Sequence, residues 1–307
     1  MAIRVKDKPT VKKRRWWLIT LVSLFCISIL VSLIPDVPEK GNVARIKIEG
    51  AIMGSGDSSP FASSVASSQT ITHYIQEAES NPFVKVILLE INSPGGSAVA
   101  SDEVASAGLR AQKPTVAVIR EVGASGAYWV ASATNHVIAN RMSITGSIGV
   151  ISSYLEFSGL MDTYGVTYQR LVAGDKKDLG VPFRELSISE EAVLQQKLDT
   201  IHDYFIEAVA KNRNLAVQDT RNIATGEFYL GVEALELGLV DELGSITSAE
   251  KYIQDTYGIE KIEYITYQQE ASILDILGSL SSSFSYAVGE GIGSSLFNTK
   301  TNTISLR

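Results

Sequence analysis

The sequence holds a single cysteine, Cys26. An intrachain disulfide, a four-cysteine zinc site and a CxxC redox pair are all excluded. Its three histidines, His73, His136 and His202, stand far apart in the chain, which argues against a His-rich metal centre, and no metal or cofactor is implied. With 8 prolines and 24 glycines, collagen-like and proline-rich low-complexity readings are out. Positive charge is scarce beyond the head. Residues 1–15 carry seven basic side chains and one acid, Asp7, a net of +6; the whole chain stands at −7, so the remainder carries −13. A body of that sign repels phosphates, so nucleic acid is not an expected partner.

What is present is an ordinary globular composition, 45% hydrophobic and 20% charged over 307 residues. That length suits one large or two modest domains. The basic head is followed by an uncharged run, Trp16 to Ile34. As a helix it would rise roughly 28 Å, close to the hydrocarbon thickness of a bilayer. Trp16 and Trp17 sit where an aromatic belt belongs, and the charge asymmetry predicts a cytoplasmic head with everything after about residue 35 outside. A cleaved signal peptide is the rival. The run is long for one, and Pro35-Asp36-Val37-Pro38 lacks a small-x-small cleavage site. The expected organisation is a cytoplasmic head (1–15), a transmembrane signal anchor (16–34), a catalytic domain (43–265) and a tail (272–307). The tail carries an amphipathic stripe, Ile273, Ile276, Leu277, Leu280 and Phe284, that suits a packing helix or a contact with membrane or another subunit.

Along the exterior portion, strand and helix patterns alternate. Val43–Glu49 alternates apolar and polar residues, a strand signal. Gly54 to Ser68 reads as a Gly/Ser/Ala loop, and Thr70–Glu79 as a helix stopped by Asn81-Pro82. Phe83–Ile91 and Thr115–Ile119 are apolar runs typical of strands buried on both faces. Residues 97–110 and Gly126–Ala133 read as helices, and His136–Ala139 as a strand. Ser189–Asn212 is an amphipathic helix with Leu194, Leu198, Ile201, Phe205 and Val209 on one side. Such alternation implies βαβ units and an α/β core.

Two strand-to-helix turns carry candidate chemistry. In Ser93-Pro94-Gly95-Gly96 the glycines let the backbone approach another group and aim its N–H groups at an oxyanion or an extended peptide; a simple Pro-Gly turn explains the string equally well. In Gly123-Ala124-Ser125-Gly126 the serine is either a helix N-cap or a nucleophile with the Gly126 amide beside it. A nucleophilic serine needs a base. His202 falls within a helix and His136 opens a strand, positions that suit structural histidines. Lys176 and Lys177 lie in a Gly-marked loop ahead of Pro182-Phe183, and are either solvated surface or a source of a neutral amine. Bringing a lysine from about 10.4 to about 7 takes roughly 4–5 kcal/mol, so the site must be dry.

The strings INSPGGS (91–97), GASGAYWVAS (123–132), TGSIGVI (145–151), GDKKDLGVPF (174–183) and GEFYLGVEALELGLVDELGS (226–245) together resemble signal peptide peptidase A over roughly residues 43–265. The arrangement is that of its short, single-domain form. The resemblance implies an α/β fold of the Clp protease/crotonase type, a spiral of ββα units, behind one N-terminal transmembrane helix. It implies a membrane-anchored serine endopeptidase in a bacterial-type cytoplasmic membrane, facing the periplasm or exterior and cleaving remnant signal peptides. It implies a Ser/Lys dyad of Ser125 and Lys177, chosen over Lys176 by a GxxKxxxxPF pattern, with Ser147 orienting the lysine amine. Gly96 and Gly126 correspond to the oxyanion hole. The expected partners are signal peptides, the lipid bilayer and further copies of the chain in a ring or dome. A crotonase-like acyl-CoA enzyme and a non-catalytic membrane scaffold of the same fold are the alternatives.

Overall fold

The computed structural model describes residues 20–25, 40–55 and 65–268. The chain divides after Glu39. Of the expected anchor, only residues 20–25 are described, and they are helical; among the described residues no helix is long and apolar enough to cross a membrane. The expected tail from residue 272 also lies outside the described residues.

From Lys40 on, the order opens with β1 (Val43–Glu49), β2 (Ala51–Met53), β3 (Val65–Ser67), α1 (Ser68–Ser80), β4 (Val86–Ser93) and α2 (Ala98–Arg110). Then come β5 (Thr115–Ala124), α3 (Gly126–Ser132), β6 (His136–Ala139), β7 (Ile144–Gly146), α4 (Ser158–Thr163) and α5 (Ile188–Arg213). The chain continues with α6 (Val217–Ile223), β8 (Phe228–Leu230), α7 (Gly231–Glu236), β9 (Glu242–Leu243), α8 (Ile246–Tyr257) and β10 (Tyr264–Tyr267). The main sheet runs β10-β1-β4-β5-β6-β9, parallel along that whole path. β7 adds to the far end of β5 in parallel and carries β8 antiparallel to it.

The α/β expectation therefore holds, and the reason is visible in the central strands. Ile46, Ile48, Ile87, Leu89 and Ile91 point into one core shared with α1, α2, α3 and α5. Val43, Val86, Leu88, Val116 and Val118 point into the other, closed by Ala249 and Ile253 of α8. A strand buried on both faces has no polar side to show, so it reads as a continuous apolar run. Each such side chain contributes about 1.5–3 kcal/mol on burial. Glu90 is the exception within β4. Burial raises its carboxyl, but hydrogen bonds from Arg45 and Arg120 outweigh this and hold it below the ordinary carboxylate range.

Two elements depart from the sequence pattern. Val65–Ser67 lies in the expected loop yet pairs with β2 as a small parallel sheet, because a strand this short carries too little alternation to be recognised. β5 extends past Ile119 to Ala124 across a bulge, and Gly123 pairs with Ser93. The exposed Arg120 and Glu121 interrupt the apolar run there and hide its continuation. α5 forms as expected, opened by a Ser187/Glu190 capping box and closed by Asn214 in the left-handed region. Its apolar stripe, however, is buried only from Phe205 onward.

α3 is fixed by Tyr128, which is fully buried and donates its hydroxyl to the Leu239 carbonyl at 2.7 Å. Tyr128→Phe leaves that carbonyl without its donor in a dry interior. The expected loss is about 1–3 kcal/mol of stability, read as a lowered midpoint in denaturant with an unchanged m-value; an unchanged midpoint would remove Tyr128 as the anchor of α3.

Candidate active site

β4 and β5 are neighbours, parallel, and end side by side, so the turns that follow them meet at the carboxyl edge of the sheet. Ligand crevices of open α/β sheets form there. The first turn is drawn tight by buried Ser93, whose Oγ accepts from the Gly95 amide at 3.1 Å. It is then held to β2 by two bonds, from the Ile52 amide to the Gly95 carbonyl at 2.9 Å and from the Ser97 amide to the Ile52 carbonyl at 2.8 Å. Gly95 has φ of +94°, and a Cβ there would stand 2.7 Å from the Gly126 nitrogen and 2.9 Å from the Ser125 Cβ. The two turns thus touch backbone to backbone.

Ser125 occupies the second turn at φ 54° and ψ −128°, a region that strains a residue with a side chain by about 1–3 kcal/mol. Its surroundings over-determine that conformation. Its amide donates to the Gly146 carbonyl at 2.8 Å, and its carbonyl accepts from the amides of Tyr128 and Trp129 at 2.9 and 3.0 Å. The N-cap reading fails, since the Ser125 side chain makes no capping bond; the hydroxyl is left over for other work. Beside it, the Gly126 amide opens α3, and a Cβ on Gly126 would lie 2.1 Å from Ser101 Oγ and 3.4 Å from the Gly96 nitrogen. The amides of Gly96 and Gly126 therefore flank Ser125, and neither has a hydrogen-bond partner among the described residues.

These groups line one cavity of about 740 Å³. Ser147 joins them there from the end of β7, at φ 50°. Its amide donates to the Glu227 carbonyl at 3.0 Å and its hydroxyl to the Gly226 carbonyl at 3.1 Å. The far wall is apolar: Trp129, stacked on Phe205 with ring centroids 4.7 Å apart, with Leu198 and Ile201 of α5. The half-buried upper stripe of α5, Leu198 and Ile201, is thus cavity lining. The cavity can hold an apolar chain against a hydroxyl and two free amides. No group of three or more acidic, histidine or cysteine side chains suited to a metal occurs among the described residues.

Lys177 is not among the residues lining this cavity. It is exposed, on a loop closed by its own amide donating to the Gly174 carbonyl at 3.0 Å. No residue from 151 to 187 is buried, and the segment exposes apolar side chains, Ile151 at 89% and Leu171 at 97% among them. Within one copy the structure brings together four of the five expected site residues, Ser125, Ser147, Gly96 and Gly126, and leaves Lys177 apart. His202, set aside in the sequence as a mid-helix histidine, lines the cavity from α5. Its Nε2 lies 3.1 Å from the Ile148 carbonyl; a carbonyl only accepts, so that nitrogen carries the proton. The helical spacing of His202 from Leu198 and Phe205 was the available signal. His136 is structural as expected, stacked on Tyr252 at 3.7 Å.

Residues 107–260 match the family model described as peptidase family S49. A relative in Methanocaldococcus jannaschii that bears a protease name is 34% identical over 225 residues, covering 73% of this chain and 72% of its own. The chain belongs to peptidase family S49. A relative in Enterococcus faecium named for signal peptide peptidase SppA is 30% identical, covering 76% of this chain and 78% of its own. Protease 4 of Haemophilus influenzae is 31% identical over 70% of this chain, which spans only 34% of that longer protein. The protein is accordingly a serine peptidase, and membership of this family argues against the acyl-CoA alternative.

His202 lies within the cavity, so its role is separable by mutation. A general base is worth roughly 10²–10⁴-fold in rate. A histidine that only tethers the Ile148 carbonyl should, as His202→Ala, cost less than about tenfold in kcat while raising KM, because the 148–151 wall loosens. Loss of kcat by the full factor of a base, at unchanged KM, would make His202 the base.

Proposed function

We propose that this S49 peptidase uses Ser125 as nucleophile and Lys177 as general base. The observation that carries the reading is Ser125 itself, held in a strained turn with a hydroxyl free of capping and two unspent amides beside it. In the reaction, the neutral Lys177 amine takes the Ser125 Oγ proton as Oγ bonds to the peptide carbonyl carbon. Negative charge moves to the carbonyl oxygen, where the Gly96 and Gly126 amides receive it. The lysine then gives its proton to the departing amine, and water repeats the sequence on the acyl-enzyme. Ser147 orients the lysine, its Oγ keeping lone pairs to accept from the amine while it donates to the Gly226 carbonyl.

Lys177 reaches the cavity, on this reading, from a second copy. Its absence from the cavity of its own chain and the uncovered apolar segment 151–187 support that arrangement, since soluble surfaces rarely leave so much apolar area open. Covering the segment also supplies the dryness that a neutral amine needs. A homo-oligomer, ring or dome, follows by the likeness to signal peptide peptidase A, as does the Clp protease/crotonase type of ββα spiral. The substrates are remnant signal peptides, whose apolar cores suit the wall of Trp129, Leu198, Ile201 and Phe205. The Trp16–Ile34 run anchors the chain in the cytoplasmic membrane, and the charge asymmetry sets the head inside.

Ser125→Ala and Lys177→Ala should each abolish peptide hydrolysis and Lys176→Ala should not, while Ser147→Ala should lower kcat in part at an unchanged melting temperature. Co-assembly of Ser125→Ala with Lys177→Ala should recover about a quarter of the sites, those pairing an intact serine with an intact neighbouring lysine; no recovery would mean that both groups act within one copy. Topology is checked separately. Protease added to intact spheroplasts should digest residues beyond the run and spare the head, and digestion only after lysis would reverse the orientation.

A further inference from the structure

The residue that follows Lys177 is an acid, Asp178. A carboxylate beside an amine favours its protonated form, often by one to three pH units at contact distance, and a protonated lysine is no base. What Asp178 does with its charge therefore bears on the Lys177 role proposed above, and the inference here rests on that reading.

Asp178 is occupied on both oxygens by two guanidinium groups. Arg170 donates from Nε to Oδ2 at 2.6 Å and from Nη2 to Oδ1 at 2.8 Å. Arg184 donates from Nε to Oδ2 and from Nη2 to Oδ1, both at 3.2 Å. The four acceptor sites of the carboxylate are thereby filled. Hydrogen bonds from Arg170, then Arg184, hold Asp178 far below the usual carboxylate range. Its side chain is 11% exposed, withdrawn from the solvent that Lys177 faces.

Arg184 extends the connection to a rigid element. Its Nη1 and Nη2 donate to Glu190 Oε2 and Oε1 at 2.8 and 2.7 Å. Glu190 in turn accepts from the Ser187 amide at 3.0 Å as half of the box that caps α5. Around the loop the charged groups are Asp175, Lys176 and Asp178 from the loop itself, Arg170 before it, and Arg184, Glu185 and Glu190 after it. Arg170, Asp178, Arg184 and Glu190 cancel to zero. The Lys177 side chain takes no part in the network and has no partner among the described residues.

We propose that Arg170 and Arg184 are positioning residues that sequester Asp178 from the Lys177 amine, keeping the lysine free to act as base and fixing its loop to the start of α5. The guanidinium fork is suited to this, because it binds a carboxylate through two parallel bonds.

The test is the pH dependence of kcat and kcat/KM for the full-length protein in detergent, with a signal peptide as substrate. Arg170→Gln leaves the Arg184–Glu190 connection and the α5 cap in place, so it isolates the electrostatic effect; Arg184→Gln removes both. In each, the acid limb of kcat/KM should move up by about one pH unit and kcat at neutral pH should fall about tenfold, with KM within about twofold. Adding Asp178→Asn to either should return the limb to its wild-type position. A limb that stays in place in Arg170→Gln and Arg184→Gln overturns the inference, and so does a shift that Asp178→Asn fails to reverse, since that would make the network only structural. Lys177→Ala, measured alongside, separates the two readings: if it stays active, the dyad itself is wrong.

Discussion

Everything at the cavity depends on two turns touching through their backbones. β4 and β5 end beside each other, and Gly95, Gly96 and Gly126 carry no Cβ to keep their turns apart. A methyl at Gly95 would collide with the Gly126 nitrogen, one at Gly96 with the Ile52 carbonyl 2.0 Å away, and one at Gly126 with Ser101 Oγ. The contact is reached only because the sheet beneath is close-packed on both faces and cannot yield. Ser125 is thereby held in a conformation that a free chain would avoid. The same contact sets the Gly96 and Gly126 amides side by side without partners. Gly126 is buried and Gly96 exposed at the cavity; two amides unpaired within the protein and beside a free hydroxyl are what a site complementary to a transition state, and not to the resting state, would show.

The loop that carries Lys177 is built on the opposite principle. No residue from 151 to 187 is buried within its own copy, and short-range devices hold the segment instead. The Phe157 amide donates to the Pro182 carbonyl at 2.8 Å, and the Val181 amide to the Asp178 carbonyl at 3.1 Å. The Arg170–Asp178–Arg184–Glu190 chain spans the rest. An excursion with internal hydrogen bonds and an apolar exterior suits a surface that docks, because its shape is set before its area is covered. Pre-organisation of that kind lowers the ordering cost of association.

The core strands were legible in the sequence because burial on both faces leaves a mark that local pattern can carry: Val86–Ile91 and Thr115–Ile119 have no polar side. β2, β3 and β7 were not, being three residues each and defined by the partners they meet. Ser125 and the two glycines could be read from their turn strings, since a tight strand-to-helix turn imposes its composition. Whether Ser125 capped its helix could not, because that depends on which way one hydroxyl points. His202 was weighed as a base and set aside for lying within a helix; its place in the cavity wall was not legible, because between Leu198 and Phe205 a cavity wall and a core face have the same spacing. Lys177 was identified by motif alone, and no single-chain pattern states what will cover an exposed loop.

A division of labour between rigid floor and projecting loop has a consequence under the proposed reading. A copy without neighbours would hold the strained serine, the free amides and the apolar wall, yet lack a base in reach and lack a dry place for one. Loss of a general base alone is worth roughly 10²–10⁴-fold, and the oxyanion groups cannot replace it, because they act on charge that forms only after the serine proton has left. Peptidase activity would then follow assembly and not folding. On that reading, a cleft that is complete in shape but incomplete in chemistry until copies meet would be a physical restraint on premature cleavage, and it would need no inhibitory segment to impose it.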